Sequence, residues 1–455
     1  MKNLTLTNIA NACNGKLFLP KGFADKEIDN ITIDSRTVTE GSLFIPIVGA
    51  RVDGHSFISQ VYENGAVCTL SERELTDKEK SANKPYILVE SSLMAIKQIA
   101  AFYRNQLDIK VVGITGSVGK TSTKEIISSV LDVKYNVLKT QGNFNNEIGV
   151  PLTIFRIREE HEVAVIEMGI NSFGEMNRLS AIVRPDIAVI TNIGVCHLEN
   201  LIDRDGVLKA KTEMFNNLNE NAVVILNGDD DKLSTVTEVK GKKPVLCGID
   251  NKCDVYADNV TSRGLKGIEC NIYLDKDTIN VLVPIPGKHM VYNAMVAAAI
   301  GKELGLSNDE IKIGIEKMET ISGRFNIIEK DDITIIDDCY NANPVSMKAS
   351  LNVLSQADTR KVAILGDMFE LGDNEVELHK EIGDYIEGTN IDVIICVGNL
   401  SKNINPSGKV VYYFNTLDDF FGRIEELIFS KDTILIKASH GMEFVKIVNY
   451  FKNFF

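Results

Sequence analysis

Nine consecutive residues, Gly113-Ile114-Thr115-Gly116-Ser117-Val118-Gly119-Lys120-Thr121, have the composition of a phosphate cradle. In such a loop, backbone N–H groups and a helix N-terminus face the anion, a lysine adds positive charge and a threonine hydroxyl ligates magnesium. Gly116, Ser117, Val118, Gly119, Lys120, Thr121 and Ser122 are therefore the candidate nucleotide contacts. The strict P-loop pattern, G-x-x-x-x-G-K-[ST], would put a glycine where Ile114 stands, so the spacing here is the variant G-x-x-G-x-x-G-K-T. The loop implies a site for a nucleoside triphosphate, and by itself does not separate a switch, a motor and a ligase.

Other residues have chemistry-bearing types at positions where chains turn. Glu167 closes an apolar run, where it either ligates magnesium beside Thr121 or stands as a solvated strand-end acid. His197, one of six histidines, follows the turn Asn192-Ile193-Gly194 and is either a metal ligand or a polar loop residue. Lys211 lies in a helical pattern at 210–215, where an exposed lysine is the ordinary reading. Arg324 falls at a junction between segments of different rhythm, placed to meet a γ-phosphate with the planar fork that suits phosphoryl transfer. Asp338, at a strand tip, is suited to accept a ribose hydroxyl, and Asn343 to cap the helix after it.

These residues need elements to position them. A strand at 109–112 feeds the glycine-rich loop, and Ile126, Ile127, Val130 and Leu131 give the next segment a helical spacing. Apolar runs at 162–166, 186–190 and 222–226 read as strands buried on both faces, which predicts a parallel sheet with ligands beyond the strands' carboxyl ends. Before it, 1–88 reads as a small α/β unit with a helix at 6–14 and strands at 30–34, 42–47 and 85–89. After Gly323-Arg324 the alternation restarts, with strands at 333–336, 362–365, 393–397 and 433–436 and helices at 346–355, 375–386 and 417–428. The expected fold is α/β in three domains, 1–88, 89–321 and 322–455, the last doubly wound and Rossmann-like.

Size and charge agree with this picture. A chain of 455 residues exceeds one compact core. Its net charge of −14 argues against nucleic acid or an anionic membrane as a general partner. No apolar run reaches membrane-spanning length, and eight scattered cysteines without a C-x-x-C pair suit a reducing cytoplasm and give no zinc pattern. A rival reading rests on Asp203-Arg204-Asp205-Gly206 and Asn251-Lys252-Cys253-Asp254, which fit the D-x-x-G and N-K-x-D marks of GTPases. The loop spacing and the distance of the first pattern from the loop count against it.

Taken together, the motifs resemble those of the Mur ligases, ATP-dependent amide-forming enzymes of peptidoglycan precursor synthesis, along essentially the whole chain. Asp34-Ser35-Arg36 and the run 49–57 are similar to a uridine-nucleotide-binding domain. The phosphate loop, the run 142–151, Glu167-Met168-Gly169, His197-Leu198-Glu199, the runs 210–215 and 287–294, Asp337-Asp338-Cys339-Tyr340-Asn341-Ala342-Asn343-Pro344 and Leu365-Gly366-Asp367-Met368-Phe369-Glu370-Leu371-Gly372 complete the likeness. The last two point to the subgroup that joins D-alanyl-D-alanine to UDP-N-acetylmuramoyl tripeptide through an acyl phosphate, releasing ADP and phosphate. The resemblance implies ATP and Mg2+ as cofactors, Thr121 and Glu167 on one metal ion, and His197 on a second. It implies that Lys211 carries carbon dioxide as a carbamate supporting the metal, which replaces the reading of an exposed lysine. It also implies nucleotide contacts from Asn293, Arg324 and Asp338, substrate contacts from Ser35, Arg36, Asn145 and Asn146, catalytic roles for Lys120, Lys211, His197 and Arg324, and a cytoplasmic monomer. At His440 the family frequently has an arginine.

Overall fold

The strand Lys110–Thr115 is buried along all but its first residue, and the helix Lys120–Leu131 begins as soon as the glycine-rich turn ends. Both events have a steric cause. Gly119 caps the helix at φ 83°, and Gly116 sits at φ 151° where an added Cβ would lie 1.9 Å from Thr191 Oγ1. Neither backbone conformation suits a residue with a side chain. Ile126, Ile127, Val130 and Leu131 are fully buried, as their spacing predicts. They share a core with the helix His289–Glu303, which is apolar on nearly every face and accordingly sunk in the interior.

In this computed structural model, which describes residues 1–250 and 252–454, the described strands form three sheets. The N-terminal sheet runs in the order Lys16–Phe18, Tyr86–Leu88, Cys68–Ser71, Ser42–Phe44, Asn30–Thr32, parallel except for its first pair. The central sheet has nine strands, and the loop strand Lys110–Thr115 lies between Ile187–Ile190 and Val163–Glu167. Beyond Val255–Ser262 the parallel order gives way to an antiparallel meander, Ile268–Leu274 and Asp277–Val283, whose alternating burial shows one face wet and one packed. The C-terminal sheet has six strands, parallel apart from an edge hairpin of Asn326–Lys330 with Ile333–Asp337.

Successive residues of the loop strand serve different cores. Val111 belongs to one shared with Leu4, Ile9 and Ile87 of the N-terminal unit. Val112 and Ile114 belong to another that continues into the C-terminal unit through Met347, Leu351 and Leu435. The phosphate loop is thus mounted between both neighbours.

Some local expectations change. The segment 417–428 forms two short helices, Leu417–Phe421 and Ile424–Leu427, because Gly422 ends the first and Arg423 leaves helical geometry at φ −129°. A terminal helix, Val445–Phe454, a strand, Val410–Phe414, and the edge strand Asn326–Lys330 join the expected set. Asn343 caps the helix Pro344–Leu354 as expected, its side chain accepting from the Ser346 N–H. No described helix is long and apolar enough to cross a membrane.

Candidate active site

The carboxyl ends of the central strands and the first strand tips of the C-terminal sheet face a shared cavity of about 780 Å³. It gathers Ser117, Val118, Gly119, Lys120, Thr121 and Ser122 from the loop, Asn145 and Glu167 from one flank, Asn293 from the buried helix, and Arg324 and Asp338 from the C-terminal unit. Asn192 shapes the loop. It accepts from the Ser117 N–H on its carbonyl (3.1 Å) and from the Val118 N–H on its side chain (3.0 Å). Those two amides are therefore committed within the protein, and the N–H groups of the helix's first turn, which lack intrahelical partners, are the ones turned to an anion.

Glu167 is buried at the end of its strand and accepts from the Thr121 hydroxyl at 2.9 Å and from Asn145 Nδ2 at 2.8 Å. A hydroxyl and a carboxylate at this spacing are hard oxygen donors suited to magnesium, which takes one or two carboxylates and completes its shell with phosphate and water. Among the described residues, no group of three or more His, Cys, Asp or Glu gathers as a metal cage. Lys124, fully buried on the loop helix, bonds Glu125 at 3.0 Å and stands 3.9 Å from Glu167. Its spacing along the helix put it among unremarked polar positions.

Lys211 is buried, not exposed, and its ammonium donates to the Gly116 carbonyl at 3.1 Å. Burial first, and the Lys120 charge second, lower its pKa to about 7. Lys120 donates to the same carbonyl at 2.8 Å, and burial lowers it too, against the pull of Glu167. Burial, then the charges of Lys211 and Lys120, push His197 down to about 4. These three bases occupy one corner, where the two lysine charges oppose protonation of His197 and that of Lys120 opposes protonation of Lys211. His197 holds a left-handed backbone at φ 51°, and its Nδ1 meets Glu370 of the C-terminal unit at 3.2 Å. Next to it, the Cys196 thiol reaches Ser117 Oγ at 3.2 Å.

Across the cavity, Arg324 lies over the Tyr340 ring at 4.1 Å, near enough for its charge to act on Lys120. Asn293 accepts from the Thr123 hydroxyl at 2.9 Å. Asp338 accepts from Ser350 Oγ at 2.7 Å, from the Phe325 N–H at 3.2 Å and from Lys437 Nζ at 2.5 Å. Lys437 was not singled out from the sequence, although a lysine ending an apolar strand run was the available signal. Both members of this pair are buried, so breaking it strands a charge. Lys437→Met is expected to destabilise the fold by about 3 kcal/mol in denaturant melts, with Asp338→Asn added to it recovering most of the loss.

Other candidates lie apart. Ser35 and Arg36 belong to the N-terminal unit, where Arg36 pairs with Asp34 at 2.7 Å and its guanidinium holds the Asp34 carboxyl down at about 2. Asn146 uses its side-chain oxygen to accept from the Ile148 and Gly149 N–H groups at the start of the helix Gly149–Ile154. The D-x-x-G pattern resolves into a helix cap, Asp203 accepting from the Gly206 N–H at 2.8 Å. Of the N-K-x-D pattern, Asn251 lies outside the described residues.

Three family models match along the chain: the Mur ligase family catalytic domain at residues 27–104, the Mur ligase middle domain at 114–301, and the Mur ligase glutamate ligase domain at 323–440. The chain belongs to the Mur ligase family, and with its phosphate loop it is an ATP-dependent ligase. It is 36% identical, over 98% of its length and 97% of the relative's, to the UDP-N-acetylmuramoyl-tripeptide–D-alanyl-D-alanine ligase of Bacillus subtilis. Its fold is similar to that of MurF from Acinetobacter baumannii, with a TM-score of 0.91 at 31% identity and 99% of each chain covered. MurF from Thermotoga maritima, solved in complex with ADP, gives a TM-score of 0.83 at 28% identity, covering 93% of this chain and 97% of that one. The three sheets are those of the three-domain Mur ligase fold.

Proposed function

We propose that this chain joins D-alanyl-D-alanine to UDP-N-acetylmuramoyl tripeptide at the expense of ATP. What carries the reading is the cavity itself, in which the phosphate loop with Lys120, and Glu167 and Asn293 of the central unit, face Arg324 and Asp338 of the C-terminal unit, with Lys211 and His197 packed behind the loop. Full-length likeness to ligases named for this reaction supplies the substrate class. The segments 1–88, 89–321 and 322–455 divide the work among the UDP-substrate, ATP and the incoming dipeptide.

In the first step a carboxylate oxygen of the tripeptide attacks the γ-phosphorus and ADP leaves, giving an acyl phosphate. In the second, the dipeptide nitrogen attacks the acyl carbon, the carbon–oxygen bond to phosphate breaks, and the nitrogen gives up its proton as phosphate departs. Lys120 and the first-turn amides hold the β- and γ-phosphates, and Asn293 and Asp338 orient the nucleoside. Thr121 and Glu167 would hold a magnesium ion, with His197 at a second, and the metal's charge would offset that of the phosphates. Lys211, with a lowered pKa, has the neutral amine that would attack carbon dioxide, releasing a proton to solvent and leaving an anionic carbamate as a support for the metal. Water must be kept from the acyl phosphate, and closing the C-terminal unit onto the central one does so. Ser35, Arg36, Asn145 and Asn146 position the UDP-substrate. The enzyme acts as a cytoplasmic monomer.

ADP release measured with Mg-ATP, UDP-N-acetylmuramoyl tripeptide and D-alanyl-D-alanine, omitting each in turn, tests the reading. Turnover needing all three, with a pentapeptide product by mass, is expected. Turnover with a single amino acid in place of the dipeptide would move the chain to another ligase of the family.

A further inference from the structure

The dipeptide reaches the site carrying an ammonium group, since an ordinary α-amino pKa of about 7.7–8.0 leaves it largely protonated at neutral pH. Lys120 in this corner and Arg324 across the cavity from it repel that ammonium. An anion is needed there that is not already committed. Glu167 is bonded by Thr121 and Asn145, and Asp338 by Lys437, Ser350 and the Phe325 N–H. Asp230 accepts from the Ile193, Lys232 and Leu233 N–H groups, and Glu175 from the Asn171 N–H. Glu370 differs: its side chain is 68% exposed, and it meets this corner from the C-terminal unit through His197 at 3.2 Å.

Its backbone shows that this placement is built. Glu370 has φ 61°, a left-handed conformation that is unfavourable for a residue with a side chain. The loop is pinned on the side before it. The Met368 N–H donates to His379 Nε2 at 3.0 Å, and His379 Nδ1 in turn donates to the Glu375 carbonyl at 2.6 Å, which fixes the tautomer. The Phe369 N–H donates to Ser439 Oγ at 2.9 Å. Met368 and Leu371 are buried anchors, and the two residues between them are held outward. Asp367, three residues earlier, shows the contrast, accepting from the Asn399, Leu400 and Ser401 N–H groups inside its own domain.

We propose that Glu370 receives the ammonium end of the incoming dipeptide and sets that nitrogen beside the acyl phosphate, where it attacks as the neutral amine once its ammonium proton has passed to solvent. This rests on the reaction given above, and deepens it by assigning the amine's anchor. The test separates the two half-reactions. Hydroxylamine captures an acyl phosphate as a hydroxamate without using the dipeptide site. Glu370→Gln is expected to raise KM for D-alanyl-D-alanine tenfold or more, to leave KM for ATP and UDP-tripeptide within twofold, and to leave hydroxamate formation within twofold. Glu370→Asp should recover part of the dipeptide affinity. N-acetyl-D-alanyl-D-alanine, which has no ammonium, should inhibit wild type and Glu370→Gln equally. A dipeptide KM within twofold of wild type, or hydroxamate lost in parallel with pentapeptide, would overturn the assignment. A wild-type enzyme that forms no hydroxamate from ATP and UDP-tripeptide would overturn the acyl-phosphate reading, and the assignment with it.

Discussion

Replacing Lys211 by methionine is expected to lower turnover by about 10²–10³-fold while raising the melting temperature. The two effects have one cause. A lysine sealed from water destabilises its own charged form, and here the pKa falls from 10.5 to about 7. Between those values the unfolded chain holds a proton that the folded chain has released, so stability rises with pH across the window. Below about pH 7 the folded state carries the full cost, on the order of a few kcal/mol at ~1.4 kcal/mol per unit. Methionine fills similar space without that charge. Thermal melts in bicarbonate-free buffer at several pH values should show a flatter profile for the variant than for wild type. A variant that melts lower throughout would make Lys211 a structural residue and remove it from the chemistry.

Arg324→Ala is expected to cut kcat by about 10²–10³-fold with little change in KM for ATP. The guanidinium is held face-on to Tyr340 on the C-terminal side of the cavity, opposite the phosphate loop. A group in that position gains most when charge moves onto the transferring phosphoryl oxygens. Lysine should not substitute, because the stacked planar fork is what fixes the position. Tyr340→Leu, which removes the stacking partner and keeps the charge, should lose about tenfold in rate, in line with ~1.4 kcal/mol. A rise in KM for ATP with kcat unchanged would mean that Arg324 binds ground state and transition state alike. A structure trapped with an ATP analogue and UDP-tripeptide in which Arg324 stays remote from the phosphates would remove it from phosphoryl transfer.

Much of the frame could be read from local pattern. The strands ending at Glu167, Ile190 and Asn227 are uninterrupted apolar runs, and such runs are legible because both of their faces are buried. The glycine-rich turn was legible because steric demands at Gly116 and Gly119 leave little choice of residue. The meander of Ile268–Leu274 and Asp277–Val283 does alternate in sequence, but with one face wet it has no continuous apolar run to mark its strands. Lys211 shows the limit on the chemical side. Nothing in 210–215 marks that lysine as buried, since burial comes from the phosphate loop folding over it, and family likeness alone singled it out. The His197–Glu370 meeting and the Asp338–Lys437 pair join residues 173 and 99 positions apart, and no local pattern encodes such a distance.

The thiol of Cys196 against Ser117 has a practical use. Six of the eight cysteines are buried, which leaves Cys196 and Cys253 as the accessible pair. In a Cys253→Ser background a thiol-reactive dye would attach within a few ångströms of the phosphate loop. Its rate of attachment, slowed as nucleotide fills the loop, would turn this enzyme into its own occupancy gauge. Compounds that compete for the loop could then be ranked by fluorescence, without either peptide substrate.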